Sequence, residues 1–382
     1  MNIRSKKQPS TDVVSVLGVG DVCVNREKPE SIFELVSPIM NQADMAVCQL
    51  EAAISERGYP QVHNKVPLRV HPSNIDGLKF AGFDVVSFAS NHCMDYGIDA
   101  FFDTINLLRQ NNIKVIGAGK DIVEARKPAI IERKGVRVAF LGYNSILHPG
   151  YAAITGKPGC SAIRVRTLYE PLEPNQPGTS CRIVTIPYAE DVDAMREDIR
   201  NAKALADVVI LMMHWGLHHA PVLLAMYQRE VGHAAIDAGA DLIFGHHAHI
   251  LKGIEVYKGK VIFYSLCNFA FDLPAAVRYT TNYKESVKDI REKAYHWEID
   301  PNYPTYAFQP DARKTILAKC IISNKQIQRV TFMPVIINKK GQPEVVHREN
   351  KDSQEVLNFI NEASKELGTK LSFEGDEVLI HV

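Results

Sequence analysis

The chain lacks the features that would send it to a membrane, to a nucleic acid or to an oxidising compartment. Its apolar runs are short: VVSVLGVGD near the start is interrupted by Asp21, whereas a spanning helix needs about 20 apolar residues. The leading MNIRSKKQPSTD is basic but is not followed by the apolar stretch of a secretory signal. Residues 1–12 are therefore expected to be a flexible N-terminal segment, and the protein to be cytoplasmic. Neither sign of charge is in excess, with 44 Lys+Arg against 44 Asp+Glu in 382 residues. Without a basic run there is no field to hold nucleic acid or anionic lipid, so nucleic acid is excluded as a partner. No C-x-x-C pair occurs, and the seven cysteines are odd in number and scattered, which argues against a disulfide framework or a thiolate zinc knuckle. Internal repeats and low-complexity tracts are absent as well. What remains, 46% apolar and 23% charged, is an ordinary globular composition.

The histidines are unevenly placed. Seven of the 14, at 214, 218, 219, 233, 246, 247 and 249, fall within 36 positions, where an even spread would place about one. Around them, short apolar runs alternate with amphipathic ones. VVSVLGVGD (13–21), DMAVCQLE (44–51), FDVVSFAS (83–90), DVVILMMH (207–214) and DLIFGHH (241–247) read as buried strands. The 3.6-residue period predicts helices over 98–110, 190–206 and 223–239, and a further one after Pro29 despite Pro38. AIIERKGVRVAFLGY (129–143) and GIEVYKGKVIFYSL each carry a Lys-Gly turn between apolar runs and predict hairpins. Residues 145–180, rich in Gly and Pro, read as a long loop or insertion. Beyond 273 a terminal hairpin, a helix and an end strand are expected. The fold class is α/β: one layered domain over 13–272, with 273–382 as a C-terminal extension packing on it.

Strands buried on both faces leave polar residues to the strand ends, and here those residues are of few kinds. The first strand runs into Asp21, the second into Glu51, the third into Asn91 and His92 with Asp95 beyond, and the later ones into His214 and His246-His247-Ala248-His249. Open α/β sheets place their sites at these carboxyl ends, and turn chemistry alone would not restrict five ends to Asp, Glu, Asn and His. Carboxylate, amide oxygen and imidazole together suit one or two divalent ions of borderline character, Mn²⁺, Fe²⁺ or Zn²⁺. Such ions make hydroxide available near neutral pH.

The motifs GDVC, CQLE, SNHCMDYG, MMHWG, GHHAH and YSLCNFAFD, in this order over residues 13–272, resemble the CapA-like family, named for poly-γ-glutamate capsule synthesis and related to calcineurin-type metallophosphoesterases. The resemblance implies a metallophosphoesterase-like four-layer sandwich of two mixed sheets flanked by helices. It implies Asp21, Glu51, Asn91, His214, His247 and His249 as metal ligands, and His92 as the group that assists departure of the leaving group. The chain departs from the wider phosphoesterase pattern at Cys23, where that group has histidine, and at Glu51, where it has aspartate. Cys23 is either a thiolate ligand or a small packed side chain, which bears on whether one ion or two is held.

Other positions admit two readings. Asp95 either orients His92 or caps the following helix. Trp215 forms a wall of the site or takes part in its chemistry; His218 and His219 touch substrate or solvent; Asn268 lines the pocket or has a structural role. His246 should point away from a site that its neighbour faces. His63 and His71 read as surface residues. Arg26, Lys65 and Arg69 either receive an anionic substrate or are solvated. Three functions follow. The first is a metal-dependent hydrolase of phosphoester or amide bonds acting on an anionic small molecule, peptide or capsule polymer. The second is a metal-assisted peptide epimerase, with His92, Cys23 or Cys93 exchanging the proton. The third is a non-catalytic module that holds polymer for a capsule-synthesis complex.

Overall fold

Unbroken apolar runs such as VVILMM become central strands whose two faces pack against different layers, and this organises the chain. The computed structural model describes residues 13–61, 66–176, 178–273 and 300–382; the N-terminal segment, His63 and Lys65 lie outside them. The first half supplies strands β1 (Val14–Cys23), β2 (Met45–Leu50), β3 (Val85–Ser87), β4 (Lys114–Ile116), β5 (Ala129–Arg133) and β6 (Val136–Asn144). The middle supplies β7 (Val165–Pro171), β8 (Cys181–Pro187), β9 (Val208–His214), β10 (Leu242–His246), β11 (Ile254–Tyr257), β12 (Lys260–Phe263) and β13 (Asn268–Phe271). The C-terminal part adds β14 (Lys314–Ser323), β15 (Gln326–Ile337), β16 (Leu371–Glu374) and β17 (Glu377–Ile380). The longer helices are α1 (Gly97–Gln110), α2 (Ala189–Leu205), α3 (Met226–Ala238) and α4 (Lys351–Ser364).

Two mixed sheets face one another. The larger runs β16-β17-β15-β14-β1-β2-β3-β4, with β13 also on β1; the smaller runs β11-β12-β10-β9-β6-β5. Alternation along β9 shows why the sequence reads as continuous: Val208, Ile210 and Met212 enter the core between the sheets, while Val209, Leu211 and Met213 enter a second core beneath the helices. Into that second core α2 delivers Val192, Met195, Ile199 and Ala202, a spacing that keeps one helical face buried. On the larger sheet's side, α1 buries Phe101, Ile105 and Leu108. The expected arrangement of two mixed sheets flanked by helices is what the structure shows. None of the helices among the described residues is long and apolar enough to cross a membrane.

β1 is the pivot. Its first half pairs antiparallel with β14, and its last residues pair parallel with β13, Asp21 lying opposite Asn268. Gly20 permits that handover, because a Cβ there would lie 2.0 Å from the Cys267 carbonyl oxygen. Three local expectations change. The helix after Pro29 reduces to a 3₁₀ turn (Pro29–Phe33) and one helical turn beginning at Ser37, since Pro38 has no N–H to continue a longer helix. The 145–180 stretch includes β7, which pairs with β8 in an exposed hairpin; an exposed strand has no hydrophobic alternation to reveal it. The end strand β17 pairs with a further strand, β16, as well as with β15.

Candidate metal centre

The carboxyl ends of β1, β2, β9 and β10, together with the turns that follow β3 and β10, converge at one edge of the intersheet core. Asp21 and Glu51 are fully buried, and so is His214. One ligand atom from each lies within 4.8 Å of the others. His214 Nδ1 is 3.1 Å from Glu51 Oε1, yet neither atom has a hydrogen-bond partner. Its Nε2 lies 2.7 Å from Asn91 Oδ1 and 3.2 Å from His247 Nδ1. His249 Nδ1 sits 3.4 Å from Asp21 Oδ2 and 2.7 Å from Asn268 Oδ1. The backbone of the GHHAH turn makes this possible: His247 and His249 have φ of 87° and 54°, a left-handed conformation that costs energy in non-glycine residues and concentrates at functional sites. The same turn lets His247 N–H donate to Asp21 Oδ2 at 3.1 Å.

The electrostatics are those of a cation site. Burial pushes the Asp21 carboxyl well above the usual carboxylate range, against the lowering effect of the His247 amide. Glu51 is raised well above it by burial, then by the charges of Asp21 and Asp95. Burial holds His214, His247 and His249 well below the ordinary imidazole value, and neighbouring histidines add to the effect. Both trends reverse beside a positive ion, which stabilises carboxylates and uses the lone pairs of neutral imidazoles. Buried polar atoms without a partner, Asp21 Oδ1, both Glu51 oxygens and His214 Nδ1, are the atoms such an ion would satisfy. The donor set therefore fits a divalent metal.

Beside this cluster, His92 Nδ1 lies 2.6 Å from Asp95 Oδ2. Asp95 is fully buried and also accepts from Leu68 N–H at 2.7 Å. A carboxylate so held fixes the imidazole tautomer and leaves Nε2 to exchange a proton.

The bacterial capsule synthesis protein family PGA_cap matches residues 11–273. The chain belongs to this family. It is 34% identical over 276 residues to the PGA biosynthesis protein CapA of Bacillus subtilis, covering 70% of this chain and 65% of the relative. It is 28% identical to the capsule biosynthesis protein CapA of Bacillus anthracis, covering 70% and 62%. It is 30% identical to a probable polyglutamine synthesis accessory protein of Mycobacterium tuberculosis, covering 60% and 57%. The chain thus spans less than two thirds of the length of each of these relatives.

Around the PGA_cap cluster, the remaining sequence-derived candidates divide. His218 is exposed on the loop after β9 and stacks on His247, with ring centroids 3.8 Å apart. Asn268, fully buried, bonds His249 through Oδ1 and donates to Tyr306 Oη at 2.8 Å through Nδ2. Trp215 lies in the second core, its indole N–H donating to the Tyr264 carbonyl at 3.0 Å. Cys23 is buried, and its Sγ approaches the Asp272 carbonyl at 3.9 Å; burial, with the charges of Asp272, Glu51 and Asp95, pushes the thiol up so that it stays protonated. His246 directs Nε2 to the Val19 carbonyl at 3.2 Å. Arg26 is held by Asp272 through Nε at 2.9 Å, and Arg69 lies over the Tyr96 ring while donating to the carbonyls of Glu56, Arg57 and Gly58. Both guanidiniums are committed to structure.

Sequence reasoning missed Tyr151, whose hydroxyl lies 3.4 Å from Asp95 Oδ1. It also missed Tyr306, beneath Asn268, and Phe308, whose ring centroid is 5.1 Å from that of His249. These residues sit in segments without periodic pattern, and no local signal marks them.

Proposed function

We propose that this PGA_cap member is a metal-dependent hydrolase cleaving a phosphoester or amide bond in an anionic substrate connected with capsule-polymer synthesis. The reading is carried by the buried Asp21–Glu51–His214 constellation: one ligand atom from each residue lies within 4.8 Å of the others, and four polar side-chain atoms of these three residues have no hydrogen-bond partner. Asp21, Glu51, Asn91, His214, His247 and His249 would hold Mn²⁺, Fe²⁺ or Zn²⁺, one ion or two. Bound there, a divalent ion supplies acidified water and neutralises negative charge developing on the substrate. Asn268 keeps the His249 ring oriented through the 2.7 Å contact at Nδ1. Asp95 holds the His92 proton on Nδ1, so that Nε2 serves as the exchanging nitrogen and passes a proton to the leaving group. His218, stacked on His247 at the exposed side, contacts the substrate. All seven cysteines are free and six are buried, which fits the reducing cytoplasm.

The epimerase alternative is less well served, because the Cys23 and Cys93 thiols are both pushed well up by burial and are poor proton exchangers at neutral pH. An accessory role in a capsule-synthesis complex draws on the name of the mycobacterial relative. Metal analysis of the purified protein, with a panel of phosphomonoester, phosphodiester and γ-glutamyl amide substrates under Mn²⁺ or Zn²⁺, separates these readings. The hydrolase reading expects bound metal and turnover that Asp21→Asn abolishes. Metal without turnover would favour the accessory role, and no metal would remove the basis of the proposal.

A further inference from the structure

The hairpin β7–β8 projects an edge strand that is unusually open. β8 lies on the body side, where Tyr227 N–H donates to Thr185 Oγ1 at 3.2 Å. β7 faces outward, exposed at every position from Arg166 to Pro171, and among the described residues nothing pairs with its far side. Leu168 and Tyr169 are 50% and 69% exposed. An open edge strand is a template for another strand, and a two-stranded ribbon alone is marginal in water.

The register identifies which amides are free. Val165 lies opposite Pro187 and Pro171 opposite Cys181; because proline has no N–H, these are the non-bonded pairs. The bonds from Leu172 N–H to the Ser180 carbonyl and from Tyr188 N–H to the Arg164 carbonyl place the even-numbered residues in the bonded pairs. Arg166, Leu168 and Glu170 therefore use their amides within the hairpin, and Val165, Thr167 and Tyr169 direct theirs outward.

We infer that β7 pairs antiparallel with β7 of a second copy about a two-fold axis at Leu168, forming a four-stranded sheet across a homodimer. Thr167 and Tyr169 then exchange N–H···O bonds with Tyr169 and Thr167 of the second copy, and the two Leu168 side chains meet in a non-bonded pair, where side chains are closest. The same register sets each Arg166 opposite Glu170 of the other copy, twice by symmetry. Centring the axis on residue 167 or 169 keeps the outward bonds but loses this charge match. Within one chain the two groups have weaker attachments: Arg166 lies over the Tyr188 ring at 4.4 Å, and Glu170 is 3.9 Å from Arg182, both more than half exposed.

Light scattering of the full chain during size exclusion, at about 50 µM protein, tests the pairing. A dimer is expected for the unaltered chain, monomers for Arg166→Glu alone and for Glu170→Arg alone, and a heterodimer when these two variants are mixed, since mixing restores opposite charges at both contacts. In a Cys181→Ser background, which removes the exposed native thiol, Leu168→Cys should cross-link the dimer on mild oxidation. A monomeric unaltered chain, a mixture that stays monomeric, or Leu168→Cys that does not cross-link would each overturn the inference.

Discussion

Replacing Glu51 with glutamine separates the cost of an unrelieved buried carboxylate from the benefit of a bound ion. Glu51 is fully buried with both oxygens unpartnered, and its carboxyl is raised well above the ordinary value. An unfolded glutamate loses its proton near pH 4.3, so retaining it in the fold costs up to about 4 kcal/mol at pH 7, at about 1.36 kcal/mol per pH unit. Because the folded value is the higher one, this group's contribution is fully present below about pH 4.3 and is lost as pH rises above it. Glutamine never ionises, but a buried amide without partners costs about 1–3 kcal/mol. In chelator at pH 7 the variant should therefore match or exceed the unaltered protein by about 1–2 kcal/mol, and its stability should fall less steeply with rising pH. With metal the order reverses. At an ion concentration about 100 times Kd the unaltered protein gains about 2.7 kcal/mol, most of which a variant lacking a charged donor forgoes. Thermal melts with chelator and with Mn²⁺ or Zn²⁺ read both effects, at about 1 °C per kcal/mol for a chain of this length. A variant clearly less stable than the parent in chelator, or one with an undiminished metal-induced shift, would refute the reasoning.

Acid unfolding should respond to His246, whose imidazole is held down to about 4 by burial. Its contribution is complete above about pH 6.5 and is lost as pH falls toward 4, about 3 kcal/mol in all, so chemical denaturation of His246→Asn across this range should show a shallower pH dependence. Arg26→Ala strands Asp272, which is 3% exposed, and should cost about 3–5 kcal/mol in urea unfolding; Arg26→Lys should restore little, since it cannot reproduce the two-nitrogen contact. Once a substrate is in hand, Asp95→Asn should lower kcat by about 10²-fold or more with KM little changed and the pH profile displaced, whereas a purely structural role would leave the profile in place.

The strand ends were legible because burial on both sheet faces forces their residues into unbroken apolar runs, so a polar side chain closing such a run stands out. That logic brought out Asp21, Glu51, Asn91, His92, His214 and the run His246-His247-Ala248-His249; the family resemblance narrowed these to the six ligands, and helical periodicity located α1, α2 and α3. Beyond Pro29 the hydrophobic spacing predicts a longer helix than the chain forms, because Pro38 has no amide to continue one. The hairpin strand β7 left no signal, since alternation records burial and this strand has almost none.

Other features depend on contacts between residues far apart in the chain. Tyr306 reaches Asn268 across 38 positions and Arg26 reaches Asp272 across 246, so no local pattern could have assigned either pair. Trp215 follows a candidate ligand directly, yet alternate burial sends it into the helix-packed core. The sequence determined which chemical groups are present and that they close apolar strands, because those facts are local. The tertiary structure decided which of those groups share a low-dielectric site, which of their atoms lack partners and which guanidiniums are already paired, because burial and pairing exist only once distant segments have been brought together.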